Sequence, residues 1–253
     1  MIKDDNLILS IAGHDPTGGA GIQVDAQIAS YHGKHCLSIL TCETIQNLKS
    51  FVKIIPQEEK DIQKSFNNLF KNFSLKYFKI GLVPNVKIAH KLSNLIASNK
   101  PELVVIDPIL KSGTGKKLFL KKDLNSLMQK LYRKATLLTP NIYEVKTLTN
   151  KKNIFDSILF LYDQGIENVY VTGELKKGKI RNHLYSKGKL VNIDEVPKMK
   201  TIIHGSGCAL STSILCFLVD KKSLKDACSK SQKLMKVLVK NSRNHIHQNI
   251  LKI

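Results

Sequence analysis

Six short apolar runs, separated by amphipathic stretches, limit what this 253-residue chain can fold into. They are "LILSIAG" (7–13), "CLSILTC" (36–42), "YFKIGLV" (77–83), "LVVIDPI" (103–109), "TLLTP" (136–140) and "VYVTG" (169–173). Runs this short, rich in Val, Ile and Leu and ended by glycine or proline, read as strands buried on both faces of a largely parallel sheet. Between them, stretches such as "LNSLMQKLYRKA" (124–135) and "IFDSILFLYDQG" (154–165) carry helical spacing. The alternation predicts one three-layer α/β domain over 1–253, with helices on both sheet faces. Around 179–195 the rhythm breaks into two extended pieces joined by "SKGK", an expected antiparallel hairpin at the sheet edge. The last forty residues read as helix followed by a fraying basic tail.

Open α/β sheets bind ligands at the carboxyl ends of their strands, so chemistry is sought just after each run. "AGHDPTGGAGIQVDAQ" (12–27) follows the first. Its glycines let the backbone approach a ligand ahead of a helix N-terminus, although it fits neither GxGxxG nor the Walker pattern. "HGSGC" (204–208) sets Gly205 and Gly207 before the apolar helix "ALSTSILCFL". Two readings stand there. In one, backbone N–H groups converge on phosphoryl charge and the Cys208 thiol pKa falls at the helix start. In the other, Ser206 caps the helix and Cys208 is a small core residue.

Asn141 and Glu144 in "LLTPNIYEVKTL" (137–148) share a face at a helix start. They suit either a hydrated Mg²⁺ bridging phosphates or a plain capping box. Asp107, at the tip of the "VVIDPI" run, is a charge that needs a metal, a cap or a ligand. Glu43 and Gln46 hold the same kind of position after the second run.

The formal net charge of +20 is the usual footprint of a nucleic-acid binder. Here scattered lysines supply it. Only Arg133, Arg181 and Arg243 are arginines, Trp is absent, and the aromatics do not interleave with the charge. Base readers lean on arginine forks and stacking rings, so that class is set aside. The abundance of Lys, Asn and Ile follows from A/T-rich codons. Cys36, Cys42, Cys208, Cys216 and Cys228 form no CxxC pair, which argues for reduced thiols. No run approaches the ~18–20 apolar residues that cross a bilayer, so a soluble, cytoplasmic protein is expected.

In order along the chain, "AGHDPTGGAGIQVD", "SILTCETIQN", "KIGLV", "VVIDPIL", "LTPNIYE" and "HGSGCALSTSI" resemble the motifs of the hydroxymethylpyrimidine/phosphomethylpyrimidine kinases of thiamine biosynthesis, members of the ribokinase-like superfamily. The resemblance implies a ribokinase-like fold and ATP- and Mg²⁺-dependent phosphorylation of 4-amino-5-hydroxymethyl-2-methylpyrimidine, then of its monophosphate. It also implies a homodimer without nucleic-acid or membrane partners. Gln46 would bond the aminopyrimidine edge. Gly19 and Ala20 would line the pocket, Asp25 would lie near the hydroxymethyl end, and Leu82 and Ile109 would cover the ring. Asp107, Asn141 and Glu144 would serve Mg²⁺ and the phosphates. Gly205, Ser206 and Gly207 would form the anion hole, with Cys208 as the base. Departures from the pattern are His14 for the usual Ser, and "VTGE" (171–174), which removes a lysine near the nucleotide at Thr172. Pyridoxal or pyridoxine kinase is the alternative within the same superfamily.

Overall fold

The computed structural model describes residues 6–119, 121–198, 203–245, 248–250 and 253. In chain order the elements are β1 (Leu7–His14), α1 (Gly21–Tyr31), β2 (His35–Gln46), β3 (Phe51–Pro56), α2 (Glu59–Asn72), β4 (Tyr77–Ile80), α3 (Val86–Asn99), β5 (Leu103–Ile106), α4 (Lys121–Lys130), β6 (Leu137–Leu138), α5 (Ile142–Thr149), α6 (Ile154–Asp163), β7 (Asn168–Lys176), β8 (Lys179–Ser186), β9 (Lys189–Pro197), β10 (Ile203–His204), α7 (Ser206–Val219), α8 (Leu224–Lys240), β11 (Arg243–His245) and β12 (Gln248–Ile250).

The main sheet has nine strands in the order β3-β2-β1-β4-β5-β6-β7-β8-β9. From β2 to β7 the pairing is parallel, and β3, β8 and β9 add antiparallel edges. Strand alternation builds two cores. Leu7, Leu9, Ile11, Phe78, Ile80, Val104, Ile106, Val169 and Val171 face a layer containing α2 to α6. Ile8, Tyr77, Val105, Leu137 and Tyr170 face the layer of α1, α7 and α8. The three-layer α/β reading therefore holds. Among the described residues, no helix is long and apolar enough to cross a membrane.

The expected edge hairpin is present as part of a three-stranded meander. Two-residue turns join β7 to β8 and β8 to β9, with positive φ at Lys177 and Gly178 and at Lys187 and Gly188, as tight hairpin turns require. Three local expectations are corrected. The run at 77–83 is strand only to Ile80; beyond it Leu82 lines the cavity described below while Val83 packs into the core. β3 forms a second antiparallel edge that its weak alternation did not announce. The basic tail does not simply fray, since β11 and β12 pair with each other and β12 pairs with β10. Residues 246–247 and 251–252 of that tail lie outside the described residues.

Candidate active site

The carboxyl ends of the parallel strands open into a cavity of about 550 Å³. At the β1–β2 end it is lined by Gly13, His14, Ala20, Thr44, Gln46, Phe51, Leu82 and Ile109. At the meander end it is lined by Thr172, Gly173, Ile180, Asn182, Val196, Met235 and Val239. Between them lie Asp107, Asn141, Glu144 and Gly205 to Cys208. Twelve of the fourteen residues singled out from the sequence are thus brought together.

Gly19 and Asp25 are the two that do not line it. Gly19 packs behind Gly205, its carbonyl so close that a Cβ on Gly205 would stand 1.9 Å from it. Asp25 is fully buried. It accepts hydrogen bonds from Ser10 Oγ (2.6 Å), Thr212 Oγ1 (2.8 Å) and Lys79 Nζ (2.9 Å), beneath α7. Asp25, expected near the hydroxymethyl end of a substrate, spends its bonds on buried groups of the protein. Burial works against the charge of Lys79, but Asp25, together with Cys208 and Asp107, holds the lysine above its ordinary pKa.

α7 starts at Ser206, and its N-cap is Gly205 at φ 78°, ψ 4°, without any side-chain cap bond. The reading of Ser206 as cap is therefore corrected. Only a glycine combines that positive φ with the Gly19 carbonyl at its α-carbon. With no side chain closing the cap, the first N–H groups of α7 stay open toward the cavity.

Cys208 lies in the first turn of α7, 5% exposed, beside Asp107. Burial pushes that thiol up to about 12, with the charges of Asp107 and Asp25 reinforcing it and Lys79 opposing it. The expected lowered pKa is overturned, because desolvation outweighs the helix dipole. Cys208 is thus the buried residue of the second reading, and it also lines the cavity.

Asn141 and Glu144 form a capping box, with Glu144 N–H donating to Asn141 Oδ1 (2.9 Å) and Asn141 N–H to Glu144 Oε2 (2.9 Å). The capping box is therefore present, and both residues also line the cavity. Burial raises Glu144 to about 8, and Asp107 adds to that shift. Asp107 is raised to about 6 by burial, opposed by Lys79 and reinforced by Asp25. Neither acid has a bonded cation among the described residues. Among the described residues no group of three or more His, Cys, Asp and Glu gathers as a metal cluster. Two buried carboxylates facing a cavity are a hard, all-oxygen donor set, and it fits Mg²⁺ if water and phosphate complete the coordination.

Residue roles missed in the sequence also meet here. Asp15 and His204 line the cavity and bond at 2.6 Å, although 189 positions separate them. Burial opposes the charge of Asp15, yet bonds from His204 and Thr17 hold its pKa below the ordinary value. Lys111, also in the lining, rests its Nζ 3.4 Å from the centre of the Tyr143 ring. The signal for Asp15 and His204 was their place inside the two glycine-rich motifs.

A family model described as Phosphomethylpyrimidine kinase matches residues 15–251, nearly the whole chain. The chain belongs to that family. The hydroxymethylpyrimidine/phosphomethylpyrimidine kinase of Helicobacter pylori is 30% identical over 249 residues, covering 95% of this chain and 93% of that protein. The structure of Clostridium difficile phosphomethylpyrimidine kinase matches with a TM-score of 0.78 at 26% identity, over 92% of this chain and 99% of that one. Bacillus subtilis pyridoxal kinase, solved as an ADP complex, shares the fold with a TM-score of 0.87 at 23% identity, over 97% and 96% of the two chains. The chain is thus a kinase of the phosphomethylpyrimidine kinase family, ribokinase-like in fold.

Proposed function

We propose that the protein transfers the γ-phosphoryl group of ATP to the alcohol of 4-amino-5-hydroxymethyl-2-methylpyrimidine, and then a second phosphoryl group to the resulting monophosphate. The observation that carries this reading is Gln46 facing the same cavity as the open amides of α7. A carboxamide offers one donor and one acceptor in a plane, which suits an aminopyrimidine edge. Leu82 and Ile109 supply apolar cover for the ring, and Thr41 Oγ1 fixes the Leu82 carbonyl at 2.6 Å.

Phosphoryl transfer asks the protein for position and charge stabilisation more than covalent work. The alcohol oxygen bonds to the γ-phosphorus, the bond from that phosphorus to the β,γ-bridging oxygen breaks, and ADP leaves. The amides of Gly205, Ser206 and Gly207 stabilise charge on the transferring group. The hydroxyl proton passes to the Cys208–Asp107 pair. At neutral pH Cys208 stays a thiol and Asp107, with the lower pKa, holds the accepting capacity. Asp107 and Glu144 would hold Mg²⁺, which when bound offsets phosphate charge. Asn141 and Thr172 line the nucleotide side, where Thr172 N–H donates to Pro140 O at 2.9 Å.

Mass spectrometry after incubation with ATP, Mg²⁺ and the pyrimidine alcohol tests the reading, with a diphosphate product expected. Absence of any phosphorylated pyrimidine overturns it. The likeness to Bacillus subtilis pyridoxal kinase supports a second reading, with a B6 alcohol as acceptor. Competition between the two alcohols at equal concentration decides between them, and the pyrimidine is expected to win.

A further inference from the structure

The imidazole of His204 occupies a slot that three separate segments leave for it. Its Nε2 meets Asp15 Oδ2 at 2.6 Å, the two side chains being 10% and 4% exposed. Asp15 is fixed in turn by Thr17, whose N–H and Oγ1 both reach Oδ1 at 2.9 Å. Thr17 Oγ1 then accepts from the N–H of Gly19 at 3.3 Å.

A Cβ added at Gly19 would stand 2.5 Å from His204 Cδ2, and one added at Gly113 would stand 2.6 Å from Nδ1 and 2.8 Å from Cε1. Neither glycine has a positive φ. Backbone conformation therefore does not require glycine at either place; the imidazole does.

Gly113 belongs to a flap, 110–118, closed by its own bonds: Leu118 N–H to Leu110 O at 3.0 Å and Ser112 N–H to Lys116 O at 2.9 Å. The foot of the flap is tied to the acidic wall by Leu110 N–H donating to Glu144 Oε1 at 3.4 Å. His204 is followed directly by Gly205, whose own lack of Cβ admits the Gly19 carbonyl. One imidazole thus touches the loop after β1, the flap after β5 and the start of α7.

We infer that the Asp15–His204 pair is a positioning element for phosphoryl transfer, holding the amides of Gly205 to Gly207 and the flap 110–118 in one register. The pair acts through those segments. It rests on the kinase reading for its rate effects, but its structural coupling can be measured without substrate.

His204→Ala is expected to lower kcat by about 100-fold, the scale of an ångström-sized misplacement, while both KM values stay within about threefold. His204→Gln, whose Nε2 can still reach Asp15, is expected to recover about tenfold of that loss. Gly113→Ala should slow the wild-type protein but cost nothing further in the His204→Ala background, because the obstructing ring is gone. Tryptic cleavage after Lys111, Lys116 or Lys117 should be about tenfold faster in His204→Ala than in wild type, a readout that holds whichever alcohol is the acceptor.

The proposal is overturned if His204→Ala keeps kcat within about threefold of wild type, or if Gly113→Ala costs the same in both backgrounds. Should His204→Ala fail to fold, His204→Gln, which also removes the ring, carries the same comparison with Gly113→Ala. Should wild type phosphorylate neither alcohol, the acceptor reading falls, and the Gly113–His204 coupling is then read from cleavage rates. Unchanged cleavage in His204→Ala overturns the inference.

Discussion

Two buried carboxylate sites flank the first turns of α7, and they are opposites. Asp25 is saturated, with a lysine, a serine and a threonine donating to it, and it does not line the cavity. Asp107 and Glu144 are also buried, but among the described residues neither has a bonded cation; burial raises both, Asp107 adds to the rise of Glu144, and the nearby charge of Lys79 only opposes the rise of Asp107. A compensated charge is construction, holding α7 to β1 and β4 through Thr212, Ser10 and Lys79. A pair of acids without a bonded cation, open to a cavity, is placed to receive positive charge.

The sharpest way to break that contrast is Lys79→Met, which leaves Asp25 buried without its counter-ion. A loss of about 3–5 kcal/mol is expected by chemical denaturation, as for other severed buried pairs. The double variant Lys79→Met with Asp25→Leu should recover part of it. Equal stability of Lys79→Met and wild type would show that Asp25 is not held as described.

Asp107→Asn should behave the other way, with stability kept or raised and kcat down by about 10²–10³-fold in a steady-state assay. A destabilised but active Asp107→Asn would place it with Asp25.

The smallest effect is on pH dependence. Asp107 and Glu144 have folded-state pKa values of about 6 and about 8, above ordinary values of 3.8 and 4.5. Through that window the folded state binds more protons than the unfolded one. Ligand-free stability should therefore fall as pH rises from about 4 to about 8, read as a falling melting temperature. Mg²⁺ with a nucleotide should flatten the slope, as should Glu144→Gln. A slope of opposite sign across the same range would contradict the uncompensated state.

Local features of this site were legible in the chain. The runs at 7–13 and 103–109 name β1 and β5, the "SKGK" stretch names the β8–β9 turn, and the Asn141 to Glu144 spacing names a capping box. Each depends on groups a few residues apart. Gln46, Leu82 and Ile109 were found through the resemblance, and the tertiary structure gathers them with the rest in the cavity.

Asp25, Cys208 and His204 were not legible in the same way. Nothing near Asp25 in the chain announces Lys79, 54 positions away, and nothing near His204 announces Asp15, 189 positions away.

Read alone, the order of residues determined the strand and helix alternation, the parallel sheet and the end of it where ligands gather. Periodicity and backbone hydrogen bonding act over a handful of neighbours. Only the packed structure decided which acid is compensated, that the Cys208 thiol keeps its proton, and that one imidazole governs two glycines. Those properties follow from desolvation and from pairs closed across the whole fold, which exist only once remote segments are buried against each other.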